Sequence, residues 1–80
     1  MIAYRKRLYQ ILVEGNISRI DDERLSGWQL KSLQDGNTLM TGPGIDSSAL
    51  YGILAALRDN GIILLGIREV QTSPIEGDKK

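Results

Sequence analysis

The chain has no cysteine and no histidine, which excludes disulfides and removes the thiolate and imidazole ligands on which structural zinc depends. Nucleophilic catalysis loses its best-suited side chains with them, and Ser47 and Ser48 are accounted for by helix capping. Phenylalanine is absent, and the two prolines, Pro43 and Pro74, fall outside the predicted elements. Net charge is also missing. Ten lysines and arginines balance ten aspartates and glutamates, so no global field attracts nucleic acid or an anionic membrane. No segment approaches the ~20 apolar residues that cross a bilayer. Arg5, Lys6 and Arg7 are not followed by an apolar signal region, because Gln10 and Glu14 interrupt the run. The expectation is a cytoplasmic protein without membrane partner, cofactor or enzymatic activity.

What remains is one small domain. A chain of 80 residues buries little more than roughly 60% of its unfolded surface, and with no covalent or metal staple, self-association is the common supplement. The expected organisation is a basic arm over 1–7, a single domain over 8–71 and a disordered polar tail over 72–80.

The clearest element runs from Ile45 to Val70. Asp46 or Ser47 suits a helix N-cap, Leu50, Ile53, Leu54 and Leu57 form one apolar stripe, and Gly61 suits a left-handed stop. A helix over about 46–60 follows. The run from Ile62 to Ile67 is apolar on both alternating faces, the signature of an interior strand. Leu8 to Glu14 alternates and reads as a strand. A short helical turn near 21–26, with Asp21 as N-cap, carries Ile17, Ile20 and Leu25 toward the core.

Asp35–Gly36 between two apolar runs marks a hairpin with a two-residue type I′ turn. That turn pairs Ser32 with Leu39 and Leu30 with Thr41, which puts Trp28, Leu30 and Leu39 on the core face. The fold class is therefore α+β, a four-stranded, mainly antiparallel sheet with one long helix on one face. The layout is either ferredoxin-like or a β-meander followed by helix and strand.

One helix leaves a sheet face open. That face is expected to collect Leu8, Leu12, Leu33, Met40 and Leu64, enough apolar surface to make a homodimer contact. The small residues Ala49, Gly52 and Ala56 mark a second candidate surface on the helix back. Gly42–Pro43–Gly44 before the helix suggests a phosphate cradle, but Asp46 puts negative charge where the anion would sit. Asp21, Asp22 and Glu23 are consecutive and cannot converge on one cation as alternate ligands do. Arg5, Lys6 and Arg7 with Tyr4 and Tyr9 form a candidate nucleic-acid arm, which balanced charge and the absence of an RNP pattern argue against.

Two likenesses rest on motifs. Val13–Glu14–Gly15, Asp22–Glu23–Arg24–Leu25–Ser26, Asp35–Gly36–Asn37–Thr38, Thr41–Gly42–Pro43 and the helix from Asp46 to Gly61 resemble a family of short uncharacterised bacterial proteins. That resemblance covers most of 8–70 and implies a bacterial cytoplasmic protein with no activity to carry over. Separately, Ala49 to Val70 is similar to the last helix and strand of ACT-like regulatory domains, which implies a small metabolite bound at a dimer interface near Gly15 and Gly61. Three functions result: a non-catalytic, self-associating interaction module, an ACT-like metabolite sensor, or a nucleic-acid or protein-partner binder using the basic arm.

Overall fold

Alternation and glycine placement in the sequence divide the chain into six elements in the computed structural model, which describes residues 6–70. They are β1 (Leu8–Val13), a 3-10 turn (Glu23–Leu25), β2 (Gln29–Ser32), β3 (Thr38–Thr41), α1 (Ser47–Asp59) and β4 (Leu64–Val70). The sheet order is β2-β3-β1-β4 and every neighbouring pair is antiparallel. β1 and β2 are therefore parallel with β3 between them, and β3 and β4 are parallel with β1 between them. Two such split crossovers make the ferredoxin-like layout, and the meander is excluded because β1 and β2 are not neighbours. The first crossover carries only the 3-10 turn in place of a full helix. Its N-cap is Asp22, one residue later than expected, with Asp22 Oδ1 accepting from the Arg24 N–H at 3.0 Å.

Helix α1 has the expected bounds. Asp46 Oδ1 accepts the Ala49 N–H at 2.8 Å, and Gly61 (φ 71°) closes the far end. There the Ile62 N–H donates to Leu57 C=O and the Gly61 N–H to Arg58 C=O, the paired bonds of a Schellman motif. Ile53, Ala56 and Leu57 pack into a core with Ile11, Val13, Leu25 and Met40, and Ile17 and Ile20 lie against it. Ala56 is fully buried there, so the small-residue stripe on the helix back reduces to Ala49 and Gly52.

Two expectations fail for identifiable reasons. The hairpin turn is three residues long, not two: the Leu33 N–H donates to Asn37 C=O at 2.8 Å, and Gly36 takes the left-handed position with φ 90°. This is a type I turn followed by a left-handed glycine, and Asp35 Oδ1 fixes it by accepting the Asn37 N–H at 3.0 Å. The extra loop residue shifts the register by one, so Leu30 faces Met40 and Lys31 faces Leu39. A one-residue slip exchanges the faces of a strand, and Met40 and Thr38 turn inward while Leu39 turns out. Thr38 holds this register from inside: its hydroxyl donates to Gly15 C=O at 2.7 Å and accepts the Ile17 N–H at 2.9 Å. The second failure is β4. Expected as an interior strand, it is an edge whose one neighbour among the described residues is β1.

Candidate functional site

Alternation along β1 divides the sheet into two faces. Ile11 and Val13 turn toward α1, and Leu8, Gln10 and Leu12 turn to the other side, which no described element covers. Register then places Leu33 and Leu39 on this open face, with Gly66, Arg68 and Val70 of β4 opposite Leu12, Gln10 and Leu8. Together Gln10, Leu12, Leu33, Leu39, Gly66 and Arg68 bound a shallow depression of about 440 Å³, floored where Gly66 lacks a side chain. Arg68 does not project freely from it, because its Nε donates to Gln10 Oε1 at 2.9 Å.

Of the five residues expected on this face, Leu8, Leu12 and Leu33 are there. Met40 is not: it is fully buried beneath α1, and Leu39 occupies the place expected for it. Leu64 is also on the helix side, opposite Val13, where it lines a groove of about 420 Å³ with Leu54, Leu57, Arg58, Gly61 and Ile63. The residue that sequence reasoning missed, Leu39, could have been found only from the turn length.

The exposed large aliphatic side chains are elsewhere. Ile63, Leu64, Leu65 and Ile67 are 56%, 43%, 46% and 39% exposed, all at or beside the β4 edge. The two charges on β4 face along the sheet and leave that edge unguarded, since Arg68 is tied to Gln10 and Glu69 to Arg7 at 3.0 Å.

The remaining candidates are absorbed by the fold. Arg7 belongs to the sheet, bridging Ile45 through both backbone groups and pairing with Glu69, whereas Arg5 lies outside the described residues, as do 72–80. Asp22 receives a two-pronged grip from Arg24 (2.7 and 3.0 Å) and a bond from Asn60 Nδ2 at 2.9 Å, and Arg24 reaches on to Asp59 at 3.1 Å. These donors hold the Asp22 carboxyl far below the usual carboxylate range, and Arg24 likewise lowers Asp59. The cluster staples the 3-10 turn to the end of α1. Gly42 sits under the Trp28 indole, where a Cβ would come within 2.3 Å of the ring, so the glycine-proline turn is a packing device. Among the described residues no group of acidic side chains is arranged to hold a metal ion, and no helix is long and apolar enough to cross a membrane.

The motifs that carry the family resemblance are thus placed: Asn37 Oδ1 accepts the Gly15 N–H, Thr38 bonds Gly15 and Ile17, Asp22 and Arg24 staple the turn, and Asp46 caps α1. Residues 8–68 match the family described as domain of unknown function (DUF8691). The chain belongs to that family. The DUF8691 match spans all four strands except the last two residues of β4. No curated protein and no solved structure matches the chain.

Proposed function

We propose that this DUF8691 domain is a non-catalytic interaction module that self-associates through its open sheet face. The observation that carries the reading is the uncovered, leucine-lined depression around Gly66, with Leu33 and Leu39 standing at its far side. A two-fold contact is isologous, so the protruding leucines of one copy fill the depression of the other and the reverse. Zero net charge leaves no long-range repulsion between copies, and a domain this small, without disulfides, gains support from burying such a surface. Sedimentation over a concentration series tests it. Leu33→Lys and Leu12→Lys are expected to lower the assembled mass while circular dichroism stays native. An assembled mass unchanged in both variants overturns the reading.

The groove beside Gly61 favours a second reading, an ACT-like sensor of a small metabolite. Leu54, Leu57, Ile62 and Leu64 offer an apolar lining with Arg58 at the rim, and about 420 Å³ is within the range that holds small ligands. A panel of amino acids added during thermal unfolding tests it: a saturable rise in melting temperature that Arg58→Ala removes supports the sensor. No shift with any member rejects amino acids as the ligand class.

A further inference from the structure

We infer that β4 is an intermolecular strand: its free edge pairs antiparallel with β4 of a second copy, about a two-fold axis at Ile67, to make one eight-stranded sheet. The direction of each backbone group follows from the ends of β1. Arg7 turns both its N–H and its C=O to Ile45 on the β3 side, and Glu14 turns its N–H to Ile63 on the β4 side. Backbone groups alternate along a strand, so Leu8, Gln10 and Leu12 bond to β4 through Val70, Arg68 and Gly66. Ile67 and Glu69 therefore point their N–H and C=O groups away from the sheet, unpaired among the described residues.

Such an edge is a template for another strand, and proteins ordinarily blunt it with lysine, proline or a very short strand. β4 has seven residues and no proline or lysine, and its two charges are bound sideways, Arg68 to Gln10 of β1 and Glu69 to Arg7 just before it. It is apolar on both of its faces, and β1 is its one neighbour among the described residues. The missing neighbour is a second copy because every copy carries the same unguarded edge, and the balanced charge does not hold copies apart. The register follows from charge and from the irregularity in pairing. Centring on Arg68 would set Arg68 against itself. Centring on Ile67 sets Arg68 against the bare Gly66 and Glu69 against Leu65. The ladder runs from Leu65 to Glu69 and ends at Leu65, the extra residue of β4 opposite β1. This contact is separate from the open-face contact, and making both assembles four chains.

Amide hydrogen exchange over a concentration series reads the edge directly. The Arg68 amide, bonded to β1, is expected to be protected at every concentration. The Ile67 and Glu69 amides are expected to gain protection as concentration rises and to lose it on dilution. Ile67→Lys places a guard on the edge at a partly exposed site, and is expected to abolish the protection of Glu69 and halve the assembled mass. Face packing alone protects neither outward amide. An assembled protein in which Ile67 and Glu69 exchange freely overturns the edge pairing and leaves the open-face reading standing. Protection of both amides with no response to Leu33→Lys or Leu12→Lys does the opposite, and a monomer at all concentrations overturns both.

Discussion

The two edges of the sheet are built in opposite ways. β2 is four residues long, shows Gln29, Lys31 and Ser32 to solvent, and is locked at one end by Trp28 lying over Gly42. Its neighbourhood is stapled by polar bonds, from Ser32 to Asn16, from Asn37 to Gly15 and from Thr38 to Gly15 and Ile17. β4 is nearly twice as long and apolar, with its charges turned inward along the sheet. The difference separates two tasks. On the proposed reading, the core-facing side chains of β2 and β3 and the crossing segment hold the subunit together, and the open face and the β4 edge are left for association. Substitutions of the first kind should therefore lower stability, and those of the second should change assembled mass in a subunit that stays folded.

The hardest test of that division falls on β3. Met40→Ala removes a fully buried side chain from the middle of the core and is expected to cost ~2–5 kcal/mol. Leu39→Ala, one residue away on the open face, is expected to cost much less and to weaken association instead. Urea unfolding with sedimentation on each variant reads both effects. Equal destabilisation by the two would mean that β3 does not separate the tasks.

That pair also measures what could be read before the structure. The helix, its Asp46 cap, the Gly61 stop, the α+β class and the burial of Leu25 follow from spacing and capping chemistry, which act over a few residues. The β3 face did not, because it depends on whether the loop at Asp35–Gly36 has two residues or three. Leu39 and Met40 are adjacent and both apolar, so local composition is indifferent between them. Thr38 decides, through bonds to Gly15 and Ile17 some twenty residues away. β4 misled for a different reason. Its apolar alternation leads to the expectation of cover on both faces, whereas Ile63, Leu64, Leu65 and Ile67 stay exposed in the subunit. In the candidate site, Leu8, Leu12 and Leu33 were legible from alternation, while Met40 and Leu64 were misplaced by the register and by the extra residue at Leu65.

A smaller effect is expected at the glycines. Gly42→Ala drives a Cβ into the Trp28 ring, and overpacking of this kind costs ~1–3 kcal/mol, or a melting temperature lower by about 4–8 °C for each kcal/mol. Gly66→Ala meets open space and an ordinary backbone, so the subunit is expected to keep its stability while the depression on the open face fills. Differential scanning calorimetry at low concentration distinguishes them. A stable Gly42→Ala would show that Trp28 is not seated over β3 and that the β2 edge is held by something else.

Removing the guard from β2 should imitate β4. Lys31→Ile replaces the exposed edge cation with a β-branched apolar residue, and its expected effect on subunit stability is within ~0.5 kcal/mol. Its effect on solution behaviour is expected to be larger, as growing light scattering at concentrations where the parent stays clear. Unchanged scattering would show that shortness alone protects the β2 edge.

The smallest expected effect is electrostatic, and belongs to the staple between the 3-10 turn and α1. Asp22 is held below its ordinary carboxylate value first by the Arg24 side chain, then by the Arg24 N–H and Asn60. A carboxyl that binds its proton less readily when folded stabilises the fold above its unfolded value of ~4, and that contribution fades as pH falls further. Melting temperature is therefore expected to be flat from pH 7 to pH 5 and to decline below pH ~4, with Asp59, also lowered, contributing to the decline. Asp22→Asn keeps the shape of the cap and loses the charge, so the decline should become shallower while the plateau drops. The staple is on the side of the molecule assigned to subunit stability. The same acid titration should therefore leave the protection of the Ile67 and Glu69 amides unaffected until the subunit itself unfolds.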